Sequence, residues 1–440
     1  MITAFTLRNF KSYREATLPI GPLTLLIGAN ASGKSNAIEG VQFLSTLASY
    51  RLDKVFELLT REKVLRGGMY DLRHLDEETF GLGCHLRRST KPPLQLHVTI
   101  RPQAADLVIA QEHLRTRDGQ GRWRTLYETT APPADQTGLD VRCIYPLLEP
   151  EEVAPSLGRC DDPRKAVFTQ LENARFSHYN TEIMEFILAY AGEFQRALEN
   201  IAFFNPLPHT MRDYVPKLER DLHRDGDNLS GVLYTLCQDA SHKQRILDFV
   251  QSLPEQHIRA LEFIETPRGD VLLQLVETFS GQDRRCDAPK LSDGTLHVLA
   301  VAAAMLSVPA GSVVIIEEID NGIHPSRADL LMRNIRQIAN ERSLRVLLTT
   351  HNPALMAALP LEAIPDVVYC YRDPTAGDSR LARLSDLEDY PRLIARGNVG
   401  QLTSRGILEQ RFKQPPPPPD EQIAQALARL EAFKAEVHGQ

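Results

Sequence analysis

The alternation of apolar and polar positions predicts that the amino-terminal part of the chain is rich in strands. Residues 2–27 read as two or three short strands, because apolar residues alternate there and turn-forming proline and glycine residues interrupt them. Residues 81–86 and 94–100 alternate in the same way, which is typical of an antiparallel sheet with one solvated face. The uninterrupted apolar run at residues 23–27 has the length of a buried strand.

Helical spacing of apolar residues appears further along the chain. It predicts helices after residue 35, around residues 181–198 and after residue 228. Residues 104–200 are otherwise polar and rich in Pro, Asp and Glu, so we interpret residues 104–285 as a mostly helical insertion with loops. It has no sustained heptad of apolar positions, which excludes long coiled-coil arms.

These patterns divide the chain into four expected parts. They are an amino-terminal lobe at residues 1–103, the insertion at 104–285, a carboxyl-terminal half at 286–400 and a tail at 401–440. In the tail, Pro415 to Pro419 form a stiff spacer, and the helix predicted after Asp420 has an apolar stripe from Ile423 to Val437. The stripe either folds back on its own chain or docks on a partner subunit.

Composition narrows the class of protein. The chain has 440 residues, 42% of them apolar, and a net charge of -7, so no overall basic field indicates nucleic acid, although a local patch stays open. The six cysteines form no C-x-x-C pair, which argues against a zinc module or disulfide framework and fits a reducing cytoplasm. The sequence opens without a leader-like segment and has no run of 18 apolar residues, so we expect a cytoplasmic protein that does not span a membrane.

The strongest chemical signal is the stretch at residues 28–35, which reads G-A-N-A-S-G-K-S. It fits the pattern G-x-x-x-x-G-K-[ST] in full and lies between a predicted strand and a predicted helix, the context in which backbone amides cradle phosphates. Lys34 then reaches the β and γ phosphates, and the Ser35 hydroxyl ligates magnesium. The sequence therefore predicts a site for ATP and Mg²⁺, and we call residues 28–35 the phosphate loop.

Three later segments complement this loop. Ser292 and Gly294 lie at the start of a predicted helix, an end that attracts anions, although taken alone the segment is equally a good helix cap. Glu317 and Glu318 follow the buried strand at residues 313–316, and His351 follows another at 346–350. Carboxyl ends of such strands line the crevice where α/β sheets bind ligands. One carboxylate can then hold magnesium, the other can activate water, and His351 can contact the γ-phosphate.

This ordered set resembles the ABC-type ATPases of the SMC, RecF and OLD group. Residues 8–13 are similar to that group's first strand and turn, Asn36 follows the phosphate loop as the group favours, and residues 317–325 resemble its Glu-Glu-x-Asp/Glu-Asn-Gly-x-His-Pro stretch. A Ser-Asp-Gly-Thr signature is typical of stand-alone bacterial members, often found in phage defence. The resemblance covers about residues 1–103 and 286–400, and it implies an α/β fold in which mixed and antiparallel sheets surround the phosphate-loop core.

The resemblance also implies roles for individual residues. Glu317 takes the magnesium position, Glu318 is the catalytic carboxylate, and His351 is the switch. Glu317 is one methylene longer than the usual Asp, and Ile319 replaces a common Pro; Gln95 is a candidate for the glutamine that couples the lobes. The residues expected to contact nucleotide are Arg8, Lys11, Asn30, Gly33, Lys34, Ser35, Asn36 and, from a second protomer, Ser292 and Gly294.

The resemblance further implies that two chains close head to tail on two ATP molecules. We interpret the chain as the sensor or regulator ATPase of a bacterial anti-phage system that controls a separate effector, such as a nuclease. One alternative is a RecF-like DNA repair ATPase, which needs a basic groove; the modest basic clusters are Arg87, Arg88, Arg284, Arg285 and Lys290. The other is a scaffold that uses ATP as structural glue with little hydrolysis.

Overall fold

The computed structural model describes most of the chain. The described residues are 1–104, 106–130, 138–144, 155–251, 258–279, 281–322, 324–414 and 427–428. Apart from residues 427 and 428, the predicted proline spacer and carboxyl-terminal helix lie outside them. No helix in these ranges combines the length and the apolar character that crossing a membrane requires.

The elements are numbered in chain order. The strands are β1 Ile2–Phe10, β2 Tyr13–Pro19, β3 Leu23–Ile27, β4 Phe80–Leu86, β5 Leu94–Gln103, β6 Asp106–Arg117, β7 Trp123–Thr130, β8 Leu139–Cys143, β9 Ser156–Cys160, β10 Arg175–His178, β11 Ile201–Phe204, β12 Val215–Pro216, β13 Ile258–Glu265, β14 Asp270–Phe279, β15 Gln282–Asp287, β16 Val313–Ile316, β17 Arg345–Thr349, β18 Val368–Arg372 and β19 Ser379–Arg383. The helices are α1 Lys34–Leu47, α2 Leu52–Arg61, α3 Thr181–Glu199, α4 Leu229–Leu236, α5 Ala240–Gln251, α6 Asp293–Ser307, α7 Ala328–Glu341, α8 Pro353–Ala357, α9 Tyr390–Ile394, α10 Val399–Ser404 and α11 Ile407–Lys413.

The described strands of the first 178 residues, apart from β3, form one antiparallel sheet. Within the described ranges its order is β10-β9-β8-β7-β6-β5-β4-β1-β2, so the chain meanders outward from β4 and β1. Alternate positions are buried, as along β5, because one face packs on helices that include α1 while the other carries polar side chains. The predicted strands at residues 2–27, 81–86 and 94–100 are confirmed, and so is the ABC-type α/β class.

The insertion differs from the mostly helical segment that the sequence predicts. Strands β6 to β10 extend the antiparallel sheet, and β5 pairs with β6 from Leu94 to Gln103, so the sheet continues across the expected boundary at residue 103. In β6, Leu107, Ile109 and Leu114 are buried, but a bulge shifts their alternation. The polar residues between these apolar positions, together with the bulge, obscure the alternation that would identify the strand in the sequence, although its apolar face contacts the core.

A second sheet carries the phosphate loop. Its order in the described part of the chain is β11-β16-β17-β3-β18-β19, and all neighbours are parallel except β18 and β19. Alternate residues of one strand enter different hydrophobic cores: Val314 and Ile316 face the core around α6, while Val313 and Ile315 face the core around α1. Burial on both faces explains the uninterrupted apolar runs of these strands. The carboxyl ends of β3, β16 and β17 consequently share one edge.

A third, smaller sheet precedes the predicted signature helix. It joins β12, β13 and β15 to β14, and α4 packs against it. Helix α6 then packs against α4, α5 and α7, and its residues from Thr295 to Leu306 are all buried. The small sheet and these helices therefore fix where α6 begins.

Glu112 provides a test of how the segment at residues 167–168 is held to strands β6 and β7 of the first sheet. Its buried carboxylate accepts hydrogen bonds from the Tyr127 hydroxyl (2.6 Å) and from the backbone N–H groups of Val167 (2.8 Å) and Phe168 (2.9 Å). We expect Glu112→Ala to lower the free energy of unfolding by about 3 kcal/mol, because three buried donors lose their acceptor. Urea unfolding measures this. Glu128→Ala, on the same hairpin but more exposed, is the control; equal effects of the two variants would contradict the assignment.

Candidate nucleotide-binding site

The phosphate loop leaves β3 and enters α1 through two glycines that no other residue can replace without strain. Gly28 has φ of 150° and Gly33 has φ of 119°. A Cβ atom on Gly28 would overlap the carbonyl oxygen of Cys370, and one on Gly33 would overlap the side chain of Ser379. The glycines are therefore needed both for the backbone turn and for the close approach of β18 and β19.

Three side chains of neighbouring strands donate hydrogen bonds to backbone carbonyls of the phosphate loop. The Tyr13 hydroxyl donates to the carbonyl of Gly33 (3.0 Å), while the Ser379 hydroxyl (2.6 Å) and the Cys370 thiol (3.3 Å) donate to the carbonyl of Ser32. In a trans peptide, the carbonyl and the next N–H point in opposite directions. The N–H groups that follow these two carbonyls are consequently directed away from these side chains, toward the opposite side of the loop.

Lys34 lies across the loop. Its ammonium group donates to the carbonyls of Gly28 (2.8 Å) and Ala29 (3.0 Å), and burial lowers the pKa of this amine. Within the described part of the chain, the buried Ser32 hydroxyl has no hydrogen-bond partner. Four features together fit a polyphosphate: the outward-pointing loop amides, the ammonium group, the Ser32 hydroxyl and the amino end of α1. Ser35 is exposed in the first turn of α1 and offers a hydroxyl ligand of the kind Mg²⁺ accepts.

The other predicted residues of this region lie in different settings. Asn36 donates to the Ser12 hydroxyl (2.8 Å), and Lys11 forms an almost fully buried ion pair with Glu39 of α1. Arg8 is exposed and pairs with Glu15 on the neighbouring strand (3.2 Å). Lys11 thus lies against α1, Asn36 lies within α1 and contacts the turn before β2, and Arg8 lies on the polar face of the antiparallel sheet. Asn30 is exposed in the phosphate loop, and Gln95 contacts His85 within that sheet, so their roles stay predictions.

The two predicted carboxylates follow β16 directly. Glu318 adopts a left-handed backbone conformation with φ of 50°, which directs the chain sharply away from the strand. Its N–H donates to the Thr349 hydroxyl at the end of β17 (2.9 Å), and its carboxylate accepts from the side chain of Asn321 (2.9 Å). These two bonds stabilise a backbone conformation that is unfavourable for glutamate and define where its carboxylate lies.

Glu317 is mostly buried and paired with a residue that the sequence reasoning missed. Arg224 donates to one of its carboxylate oxygens at 2.8 Å. Burial raises the pKa of Glu317; Arg224 opposes this, and the nearby carboxylates of Glu318 and Glu39 add to it. The sequence predicts only a turn before a capped helix at residues 224–229, and a single arginine in a turn carries no pattern that would reveal this contact.

His351 follows β17 at the same sheet edge. Partial burial and the charge of Lys34 lower its pKa, while the carboxylates of Asp320 and Glu318 raise it. Strands β3, β17 and β16 are parallel neighbours, so Lys34, His351 and Glu318, which follow them, lie at the same edge of the sheet. Their roles in catalysis stay predictions.

The predicted signature, residues 291–295, begins helix α6. Ser292 is its cap: the Ser292 hydroxyl accepts from the N–H of Thr295 (3.1 Å), and the residue is exposed. Gly294 packs so closely on the loop after β16 that a Cβ would overlap the carbonyl oxygen of Gly322. Arg212 pairs with Asp293 (2.5 Å). The signature thus contacts the loop that follows Glu317 and Glu318 in its own chain.

Comparison with known proteins supports the motif-based resemblance. An AAA ATPase domain family model matches residues 1–80, and a model described as AAA domain, putative AbiEii toxin, Type IV TA system matches residues 161–357. The DNA replication and repair protein RecF of Cyanothece sp. is 44% identical over 59 residues, and that of Gloeobacter violaceus is 47% identical over 58. Each match covers 13% of this chain and 16% of the relative, so the chain spans about a sixth of their length.

A solved structure of the Smc head bound to the C-winged helix domain of ScpA aligns over 89% of this chain and 99% of that chain, with 14% identity and a TM-score of 0.49. The family matches and the RecF similarity confirm the resemblance to SMC- and RecF-type ABC ATPases that the motifs predict.

Lys34 tests the site directly. We expect Lys34→Ala to weaken ATP binding by about 100-fold, because the charge-assisted contacts of the ammonium group to phosphate, worth about 3 kcal/mol, are lost. Isothermal titration calorimetry measures the affinity, and Lys54→Ala, on the exposed surface of α2, is the control. Unchanged affinity of a folded Lys34→Ala protein would remove the loop from nucleotide binding.

Proposed function

We propose that this chain, which resembles the SMC- and RecF-type ABC ATPases, is an ATP-hydrolysing switch that dimerises head to tail on Mg-ATP. The observation that carries the proposal is the convergence of Lys34, Glu318 and His351 at one edge of the parallel sheet. A phosphate cradle, a carboxylate and a histidine at one edge are the parts that phosphoryl transfer to water requires.

The residues divide the chemistry between them. The loop amides and Lys34 hold the phosphates, and Ser35 with Glu317 would hold magnesium, which when bound supplies charge that offsets that of the phosphates. Glu318 orients the attacking water and accepts its proton, and His351 contacts the γ-phosphate. Because Thr349 and Asn321 hold Glu318 by its backbone and its carboxylate, little reorganisation is needed at the moment of attack.

The exposed start of α6 supports a second protomer as the other half of each site. Ser292 lies at the positive end of a helix of 15 residues, and Asp293, which would otherwise compensate that end, is paired with Arg212. The helix end is therefore available to an anion. In a head-to-tail dimer, that anion is the γ-phosphate held by the partner's phosphate loop.

We further propose that the switch regulates a separate effector in a bacterial anti-phage system. The description of the family that matches residues 161–357 names a putative toxin of a toxin–antitoxin system, which supports a role in conflict between bacteria and mobile elements. The effector, such as a nuclease, would respond to the closed or open state of the dimer.

The similarity to RecF also favours a second candidate, a DNA repair ATPase. The basic clusters that it would use are largely paired: Arg88 with Glu193 (3.3 Å), Arg285 with Glu262 (2.9 Å), and Lys290 with an aspartate three residues earlier (3.6 Å). Such pairs reduce the positive charge offered to a phosphate backbone. We therefore rank this function, and the scaffold with little hydrolysis, below the regulator.

Glu318→Gln separates binding from hydrolysis. We expect it to retain ATP affinity, to lower the hydrolysis rate by about 100-fold or more through loss of the general base, and to accumulate a closed dimer. Phosphate release and light scattering with Mg-ATP measure the two effects, with Glu62→Gln on the surface as control. A Glu318→Gln protein with normal turnover would exclude this residue from the mechanism.

Mixing two inactive variants tests the shared site. Lys34→Ala spoils one protomer's loop and Ser292→Arg spoils the other's signature, so each heterodimer keeps one intact composite site. A 1:1 mixture should recover about one quarter of wild-type ATPase activity, since half of random dimers are mixed and each has one of two sites. Wild-type hydrolysis by a monomeric Ser292→Arg protein would contradict the dimer.

A further inference from the structure

Residues 205–228, which we call the strap, contact the predicted magnesium ligand. Arg224 joins the strap to Glu317 through the 2.8 Å ion pair, in which both side chains are mostly buried. The other terminal nitrogen of Arg224, Nη1, is buried and has no hydrogen-bond partner among the described residues. A guanidinium group thus lies against the carboxylate that the resemblance assigns to the metal and leaves part of its own hydrogen-bonding capacity unused.

The same strap also contacts the signature. Arg212 donates to the carbonyls of Pro289 and Leu291, both at 2.9 Å, and pairs with Asp293. These residues lead into α6 and form its first turn, so Arg212 determines how the exposed Ser292 is presented. One segment of 24 residues therefore connects the Glu317 side of the chain's own site with the signature that it offers to a partner.

Hydrogen bonds and close packing between its own residues hold the strap together. Its two ends are joined because the N–H groups of Asn205 and Leu207 donate to the carbonyls of Arg224 (2.7 Å) and Asp225 (2.9 Å). The Asn228 side chain accepts from the N–H of His223 (2.9 Å), and Met211 fills the space beside Gly226 so closely that a Cβ there would overlap it. A segment tied in this way transmits a displacement of Arg224 instead of absorbing it.

The positive charge of Arg224 compensates the negative charge of Glu317. The carboxylates of Glu318 and Glu39 raise the pKa of Glu317, and Arg224, which donates a hydrogen bond to Glu317, opposes them. A divalent cation bound to Glu317 would provide the same compensation with a higher charge. Two cations at about 4 Å repel each other strongly in a partly buried site, so guanidinium and magnesium compete for one carboxylate.

We propose that Arg224 is a positioning residue that holds Glu317 in the nucleotide-free protein, that magnesium displaces it when ATP binds, and that the strap carries this displacement through Arg212 to the signature. The inference rests on the proposed function, since it concerns the same site. It adds a route by which the loading of one site changes the surface offered to the other protomer.

The first experiment compares Arg224→Ala, Arg224→Lys and the control Arg220→Ala, whose arginine is exposed in the same strap. Calorimetry with ATP at a series of magnesium concentrations gives the concentration needed for half-maximal binding. Arg224→Ala removes the competitor, so we expect this concentration to fall about fivefold, as for a contact worth about 1 kcal/mol. Arg224→Lys keeps the charge but loses the planar guanidinium group, so its magnesium concentration for half-maximal binding should lie between those of Arg224→Ala and wild type. Arg220→Ala should have the same value as wild type.

Thermal unfolding with and without Mg-ATP distinguishes displacement from a simple structural role. Loss of Arg224 leaves Glu317 unpaired only in the unliganded protein, so the rise in melting temperature on adding Mg-ATP should be larger in Arg224→Ala than in wild type. Equal rises, an unchanged magnesium requirement, or weaker magnesium-dependent binding would each overturn the proposal. A wild-type protein that binds no Mg-ATP at all would instead overturn the proposed function.

The second experiment tests the connection to the signature in the Glu318→Gln background, where the closed dimer accumulates. Light scattering across a magnesium series compares Arg224→Ala with the double variant Arg212→Ala/Arg224→Ala. We expect Arg224→Ala to shift dimer formation to lower magnesium by more than its change in magnesium-dependent binding accounts for, and we expect this excess to disappear when Arg212 is absent. The same excess in both proteins would show that the strap does not carry the signal.

Discussion

Two carbonyl groups of the phosphate loop point into the protein, and the rest of the site depends on that orientation. The carbonyls of Ser32 and Gly33 accept hydrogen bonds from Tyr13, Cys370 and Ser379, which turns the following N–H groups outward. Tyr13 belongs to the antiparallel sheet, and the other two belong to the last strands of the parallel sheet. The cradle can therefore form only when both sheets have assembled around it, although its sequence motif is local.

The sequence predicted the parts of the site that depend on short-range order. The phosphate loop lies between a buried strand and a helix, and Glu317, Glu318 and His351 each follow a buried strand, so the common edge of a parallel sheet brings them together. Their catalytic roles stay predictions. What the sequence could not show were partners far apart along the chain: Cys370 lies 338 residues from Ser32, and no pattern of apolar residues links such positions.

The insertion shows a second limit of sequence reasoning. Strands with bulges and polar outer faces, such as β6, lack the clean alternation that distinguishes a strand from a polar loop, so the extension of the antiparallel sheet was not predicted. Arg224 was missed for a different reason: its significance depends on Glu317, 93 residues later, and not on its neighbours. Tertiary contacts of single polar residues are the features that periodicity does not encode.

At Glu318, the left-handed backbone conformation lowers the stability of the fold, whereas the side chain at the same position is needed for the proposed catalysis. A residue with a Cβ pays about 1 kcal/mol or more to adopt φ of 50°, a conformation that glycine adopts freely. A glycine at this position would relax the backbone but would remove the carboxylate, so selection for thermal stability alone would tend to discard the proposed catalytic group. Screens for stabilised variants of this protein are thus expected to recover inactive ones at this residue, and they should be paired with an assay of turnover.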